Sequence, residues 1–343
     1  MKHSGLFALL LLTGCPDDPM PPPDAGTAAW GVVFEGGDLD RAVLSVWGAH
    51  PNAVYVVGGP LGNSGFEALA LFYDGSAWRD LKPGGADSFW WTSGLAADDV
   101  WMSGENGRIV NWNGSTFVDH TFTTTATMWG VFPLASDDVY AVGGTPLGGS
   151  DEPNDLIVHY DGSTWSTVAL PGDPLGVSLY KVWGTSSDNL YVVGEGGTIW
   201  HKTSSGWEQE DSGASSTLFT VHGCSETEVY AVGGFDVLLS TGDGTWAKQD
   251  IALGNSVNGV GCAAPGEVAL AGAGGLKQRL LGDEWVDEFV KDPHGDLHAV
   301  WAAGGGEFWV AGGEFASQPV PNFPREGVVA RYGVGAASDQ ILP

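Results

Sequence analysis

The stretch Val182-Trp183-Gly184-Thr185-Ser186-Ser187-Asp188-Asn189-Leu190-Tyr191-Val192-Val193-Gly194 decides the fold. Two short runs rich in β-branched and aromatic residues flank a polar turn, and the second run stops at a glycine. That is the form of two strands joined by a tight hairpin. The same form recurs along the chain, as in Val46-Trp47-Gly48 followed by Tyr55-Val56-Val57-Gly58. The strand-ending glycines are Gly58, Gly104, Gly143, Gly194, Gly233, Gly272 and Gly312, at separations of 46, 39, 51, 39, 39 and 40 residues. A base period of 39–40, stretched twice by insertions, is the size of one four-stranded propeller blade.

Working outward, each unit continues into a third strand, a tight turn and an aromatic that opens a fourth strand. The turns Tyr73-Asp74-Gly75, Asn113-Gly114, Tyr160-Asp161-Gly162 and Asp243-Gly244 supply the positive φ that hairpins need. The opening aromatics are Trp78, Phe117, Trp165, Trp207, Trp246 and Trp285, six where there are seven units. The seventh unit stops at its third strand, Val328 to Tyr332, while Ala29-Trp30-Gly31-Val32-Val33-Phe34 reads like a fourth strand. The expectation is therefore an all-β, seven-bladed propeller over 29–333. Its N-terminal strand completes the last blade, closes the ring and removes an open sheet edge.

The repeats resemble those of Asp-box and photosystem-assembly-type propellers, most clearly in Tyr191-Val192-Val193-Gly194-Glu195-Gly196-Gly197-Thr198-Ile199-Trp200. They are also similar to kelch repeats, through Gly58-Gly59, Gly143-Gly144 and the Tyr160 to Trp165 spacing. The resemblance covers about residues 29 to 333. Of the Asp-box turn, only the end survives, in Asp161-Gly162-Ser163-Thr164-Trp165 and Asp243-Gly244-Thr245-Trp246. In that family the box is a folding element, and a shared fold implies no activity by itself.

The start of the chain has a different character. Met1-Lys2-His3, an apolar run from Leu6 to Leu12 and small residues before a cysteine describe an export signal. The run is too short for a permanent membrane span. Leu12-Thr13-Gly14-Cys15 resembles the lipobox of bacterial lipoproteins, which implies cleavage before Cys15 and acylation of that residue. Secretion with an incidental cysteine is the alternative. The organisation expected is a signal peptide over 1–14, a lipidated, Pro- and Asp-rich tether over 15–28, the propeller, and a tail over 334–343. Pro16 stands where an aspartate would imply inner-membrane retention, so an outer-membrane anchor is expected.

Composition narrows the partners. With 13 Lys and Arg against 42 Asp and Glu, the net charge is −29. Such a surface repels phosphate backbones, which excludes nucleic acid, and it allows membrane contact only through the anchor. A protein partner or a glycan remains, for a chain expected to be monomeric.

In propellers of this kind the loops between second and third strands share one face with the blade-to-blade connections. Three insertions fall there, at Pro60–Glu67, Thr145–Asp155 and Glu314–Arg325. The first strands begin at the same end with Trp90, Trp91, Trp129, Tyr180, Lys181 and His298, a candidate ligand-binding set that equally suits blade packing. Asp151, Glu152 and Asp155, with Asn154, offer hard oxygen ligands for Ca²⁺, although no EF-hand pattern accompanies them. His294, Asp296 and His298 alternate, which in an extended strand places three zinc-type ligands on one face. Cys224 and Cys262 occupy corresponding turns of adjacent units and form either a disulfide or two buried thiols.

Evidence for catalysis is thin. The acidic turns Asp98-Asp99 and Asp137-Asp138 recur at one repeat position, where aspartate serves turn geometry. No arginine of the chain falls at a regular first-strand position, as a sialidase-like centre requires. No nucleophile-elbow, zincin or phosphate-loop motif occurs. The sequence therefore points to a cell-envelope binding or scaffold module without a cofactor, and alternatively to a carbohydrate receptor or glycan-acting enzyme using the aromatics.

Overall fold

The structure, a computed structural model, describes residues 28–35, 39–148, 152–289, 293, 295–315 and 324–335. The export signal, Cys15 and nearly all of the tether and tail lie outside these residues, as do Asp151 and His294. Seven antiparallel sheets of four strands each make up the fold. Six blades follow one another over 42–80, 89–119, 127–167, 179–210, 220–248 and 257–287. The seventh combines Leu297–Gly304, Glu307–Gly313 and Gly327–Gly333 with Ala29–Phe34 as its outermost strand. The innermost strands of successive blades pack side by side, and Ala42–His50 of blade 1 meets Leu297–Gly304 of blade 7. The chain is a seven-bladed β-propeller.

Ring closure is as the missing fourth strand implied. Trp30 pairs with Tyr332 and Val32 with Ala330. The Trp30 indole N–H donates to the Glu288 carboxylate of blade 6. That carboxylate also accepts a two-pronged bond from Arg279, at 2.8 and 2.6 Å, and the guanidinium lies 3.6 Å from the Tyr332 ring centroid. The bidentate, charge-assisted pair holds the closing strand against its neighbouring blade.

The core lies between blades. Trp183, Tyr191, Val193 and Ile199 of blade 4 pack on Val221, Val229, Ala231 and Leu238 of blade 5, and similar clusters fill other seams. The recurrent Trp-Gly pair works across these seams. A Cβ on Gly223 would fall 2.1 Å from the Trp183 ring of the preceding blade, on Gly94 2.7 Å from Trp47, and on Gly48 2.4 Å from Trp301. One blade's tryptophan thus occupies the space that the next blade's glycine leaves. Between blades 5 and 6 neither member is present, since His222 and Cys262 hold those positions. There Cys224 and Cys262 are joined by a disulfide, with Cα atoms 5.2 Å apart.

The period-setting glycines have a second steric cause. A Cβ on any of Gly58, Gly104, Gly143, Gly194, Gly233, Gly272 and Gly312 would lie 1.9 to 2.6 Å from a carbonyl oxygen at the start of its own blade's innermost strand. Gly104 and Gly194 have extended φ of −167° and −161°, so space and not dihedral freedom demands glycine there. That close approach accompanies a β-bulge. In six innermost strands the pairing register skips one residue: Leu44, Trp90, Trp129, Tyr180, Asn258 and His298. Bulges of this kind re-aim a side chain.

Candidate functional site

The skipped residues, with Phe219 at the same place in blade 5, form one ring at the end of the channel where the innermost strands begin. Their strand neighbours are buried, as Phe89, Met128 and Leu179 show, while Trp90, Trp129, Tyr180, Phe219, Asn258 and His298 are only partly so. Together with Lys181, these six line a cavity of about 200 Å³. The seventh position, Leu44, is buried beneath Leu61 of the first insertion, in a cluster that also takes Trp90 and Phe315.

Described residues of two insertions reach the rim. Pro146 of the second and Phe315 of the third line the cavity. Arg325 is 4% exposed and clamps the first and third together, donating to the carbonyls of Pro60 at 3.1 Å, Leu61 at 3.2 Å and Glu314 at 2.7 Å. Beside Pro146, Leu147 stands 96% exposed at φ 59°. Its backbone N–H is held by Glu195 at 3.0 Å, so the projecting side chain is carried on an anchored loop.

Within the cavity, Trp90 meets Trp129 edge-on at 4.5 Å between ring centroids, and Trp129 meets Tyr180 at 5.5 Å. Lys181 reaches back from blade 4. Its ammonium donates to the Trp129 carbonyl at 2.8 Å and lies 4.3 Å from the Trp91 ring centroid. Burial pulls its pKa down to about 7. Across the channel, the His298 Nδ1–H donates to the Leu44 carbonyl, which leaves Nε2 as an acceptor. Removal from bulk water, and then the Lys181 charge, hold His298 neutral with a pKa of about 3. The arrangement offers an apolar aromatic wall, one buried cation and neutral polar groups.

Of the six side chains expected at this end, five line the cavity. Trp91 sits one layer below, because the bulge at Trp90 shifts the following residue off the mouth, and it packs against the cores of neighbouring seams. Phe219 and Asn258 join the site without having been anticipated. Their signal was positional, since each stands at the repeat position of Trp90 and Tyr180.

The metal expectations fare differently. The bulge at His298 breaks the alternation on which a shared zinc face depended. Asp296 accepts the Gly274 N–H at 2.7 Å, whereas His298 binds the Leu44 carbonyl in the channel. Glu152, Asn154 and Asp155 line a separate groove of about 300 Å³ with Leu170, Leu175 and Trp200. There Asn154 accepts the Thr145 N–H and Asp155 the Gly176 N–H, both at 2.7 Å. Among the described residues, no group of three or more His, Cys, Asp or Glu is placed to hold a metal ion. The acidic turns are structural: Asp99 accepts from Trp101 and Asn111, and Asp138 pairs with His159 at 2.7 Å.

No protein-family model matches the chain, and no curated protein matches it either. Solved structures do. YCF48 from Cyanidioschyzon merolae aligns with a TM-score of 0.62 at 16% identity, over 89% of this chain and 98% of that one. A structure of YCF48 bound to D1 peptide aligns with a TM-score of 0.63 at 14% identity, over 92% and 99%. At this identity the likeness establishes the propeller fold.

Proposed function

We propose that this propeller is a non-catalytic, protein-binding module that receives a projecting residue of its partner at the mouth of the central channel. The observation that carries the reading is the convergence of the bulge-aimed side chains on one cavity, rimmed by Pro146 and Phe315 of two insertions. Sites that enclose a whole drug-sized ligand measure roughly 300–1,000 Å³. About 200 Å³ holds the tip of something larger. The exposed Leu147 beside the opening adds apolar contact outside it. YCF48, of the same fold, binds a D1 peptide in one of its structures, which supports a peptide or protein occupant here.

A glycan is less favoured by the same geometry. Trp90 and Trp129 meet edge to face at an interplanar angle of 69°, so they pack on each other and do not form a flat sugar-stacking platform. The setting proposed for the module is the cell envelope, tethered through an acylated Cys15. The Leu12-Thr13-Gly14-Cys15 motif supports this, and so does a disulfide, which persists in oxidising compartments.

The test is crosslinked affinity purification of the full-length protein from native membranes, beside Cys15→Ala and Trp90→Ala/Trp129→Ala versions. The expected result is one protein recovered in near-equal amount and lost with the double substitution in a still-folded propeller. Recovery of polysaccharide instead, or of the same protein by the double variant, would overturn the reading.

A further inference from the structure

Lys181 is 3% exposed, yet among the described residues its three ammonium donors meet one hydrogen-bond acceptor, the Trp129 carbonyl, beside the face of the Trp91 ring. Other buried cations are better supplied. Lys277, fully buried, donates to the carbonyls of Gly275 and Pro293 at 2.8 and 2.7 Å. Arg279 has Glu288, and Arg325 has the carbonyls of Pro60, Leu61 and Glu314. In a chain with 42 carboxylate side chains, no described carboxylate pairs with Lys181. A charge withdrawn from water is costly until it is paired.

The acids that act on the cavity's rings are already committed. Glu195, which acts on Tyr180, accepts the Ser178 and Leu147 N–H groups at 2.8 and 3.0 Å. Glu105 accepts the Ser88 N–H at 2.8 Å. The remaining polar groups at the cavity carry no charge: His298 is neutral, burial keeps Tyr180 a phenol, and the Asn258 amide donates to the Leu297 carbonyl. Among the described residues, one positive charge thus faces an otherwise uncharged aromatic cavity. It matches one negative charge. A phosphate dianion would leave its second charge unbalanced in a protein of net charge −29.

Resting on the reading of the channel mouth as the binding site, we infer that the inserted group is a carboxylate. It pairs with the Lys181 ammonium, and its uncharged body lies among Trp90, Trp129, Tyr180 and Phe219. The carboxylate is either the terminus of the inserted segment or a side chain, and the two sources separate by experiment. Because burial holds Lys181 near a pKa of 7, affinity stays level below pH 7, where the ammonium is present, and falls as pH rises above it.

Calorimetry on the purified full-length protein tests this with three probes. These are N-acetyl-Gly-Phe with a free carboxylate, its C-terminal amide, and N-acetyl-Gly-Glu amide. The free acid should bind roughly 10- to 100-fold more tightly than its amide, the range expected for a charge-assisted hydrogen bond. Tighter binding of the Glu amide assigns the carboxylate to a side chain, and tighter binding of the free acid assigns it to a terminus. Lys181→Met, which keeps the aliphatic stem, should erase the preference, whereas Trp129→Ala should weaken both Phe probes alike. Equal binding of acid and amide, a preference surviving Lys181→Met, or no binding of any probe overturns the inference. If the probes fail while partner capture still depends on Trp90 and Trp129, the binding site stands and the carboxylate does not.

Discussion

A Cβ on Gly104 would lie 2.1 Å from the carbonyl oxygen of Ser88. Ser88 precedes Phe89 and the bulge residue Trp90, so the glycine that ends the second strand leaves room for the backbone detour that turns Trp90 into the channel. Fold and site share one cause here. Gly104→Ala should therefore do two things at once. It should destabilise the propeller by about 1–3 kcal/mol, the range for overpacking a filled core, and it should displace Trp90 from the mouth. Thermal unfolding and partner capture by the same purified variant check both. An unchanged melting temperature would refute the steric account.

Ring closure gives a second prediction. A protein beginning at Ala28 keeps Ala29–Phe34, whereas one beginning at Glu35 leaves the outer edge of Gly327–Gly333 unpaired and Glu288 without its Trp30 donor. The longer protein should unfold cooperatively. The shorter one should melt earlier and aggregate, since an open strand edge templates pairing with other chains. Light scattering during a thermal ramp distinguishes the two.

The disulfide spans 38 residues between blades 5 and 6. For a loop of that length, loss of unfolded-state freedom gives about 4 kcal/mol of stabilisation at 25 °C in the chain-entropy model. Cys224→Ser/Cys262→Ser should lower the melting temperature by several degrees, and reductant should affect the wild-type protein alone. Equal melting of both under oxidising conditions would contradict a bridging role.

The much-repeated motifs were legible because they answer to local sterics. Trp183-Gly184 and its counterparts are legible because at three seams one large ring fills the space left by a bare backbone, and the seven period glycines recur since each blade has the same close approach. The closing strand was legible as an absence: six opening aromatics for seven units, with Trp30 left over. The bulges were not legible. They arise from pairing register, which no single residue announces, and they decide that Trp90 faces the cavity while Trp91 does not, and that Asp296 and His298 part company. Phe219 and Asn258 are invisible to a reading by chemical type, because repeat position defines the ring. That no described carboxylate pairs with Lys181 depends on residues of other blades and leaves no trace in the sequence around it.

Two histidines set an acid limit on stability. Burial first of all holds His222 near a pKa of 4 and His298 near 3, below the value of about 6.5 in an unfolded chain. Between those values the unfolded state binds more protons, so their contribution is whole above about pH 6.5 and is lost as pH falls toward 4. Each adds at most about 1.4 kcal/mol per pH unit to the slope. Urea unfolding from pH 7 to 4.5 should show His222→Gln flattening that slope. An identical pH dependence would place the acid sensitivity elsewhere.

The most direct test of the channel mouth as a docking site is photo-crosslinking in the native cell from position 147, with a benzophenone amino acid in place of the exposed leucine at the rim. The control position is Leu281, which is 49% exposed at the end of a third strand and thus on the opposite face. A discrete protein adduct from position 147, absent from 281 and abolished by Trp129→Ala in a folded protein, is what the account predicts. No adduct from 147, or the same adduct from both positions, would contradict it.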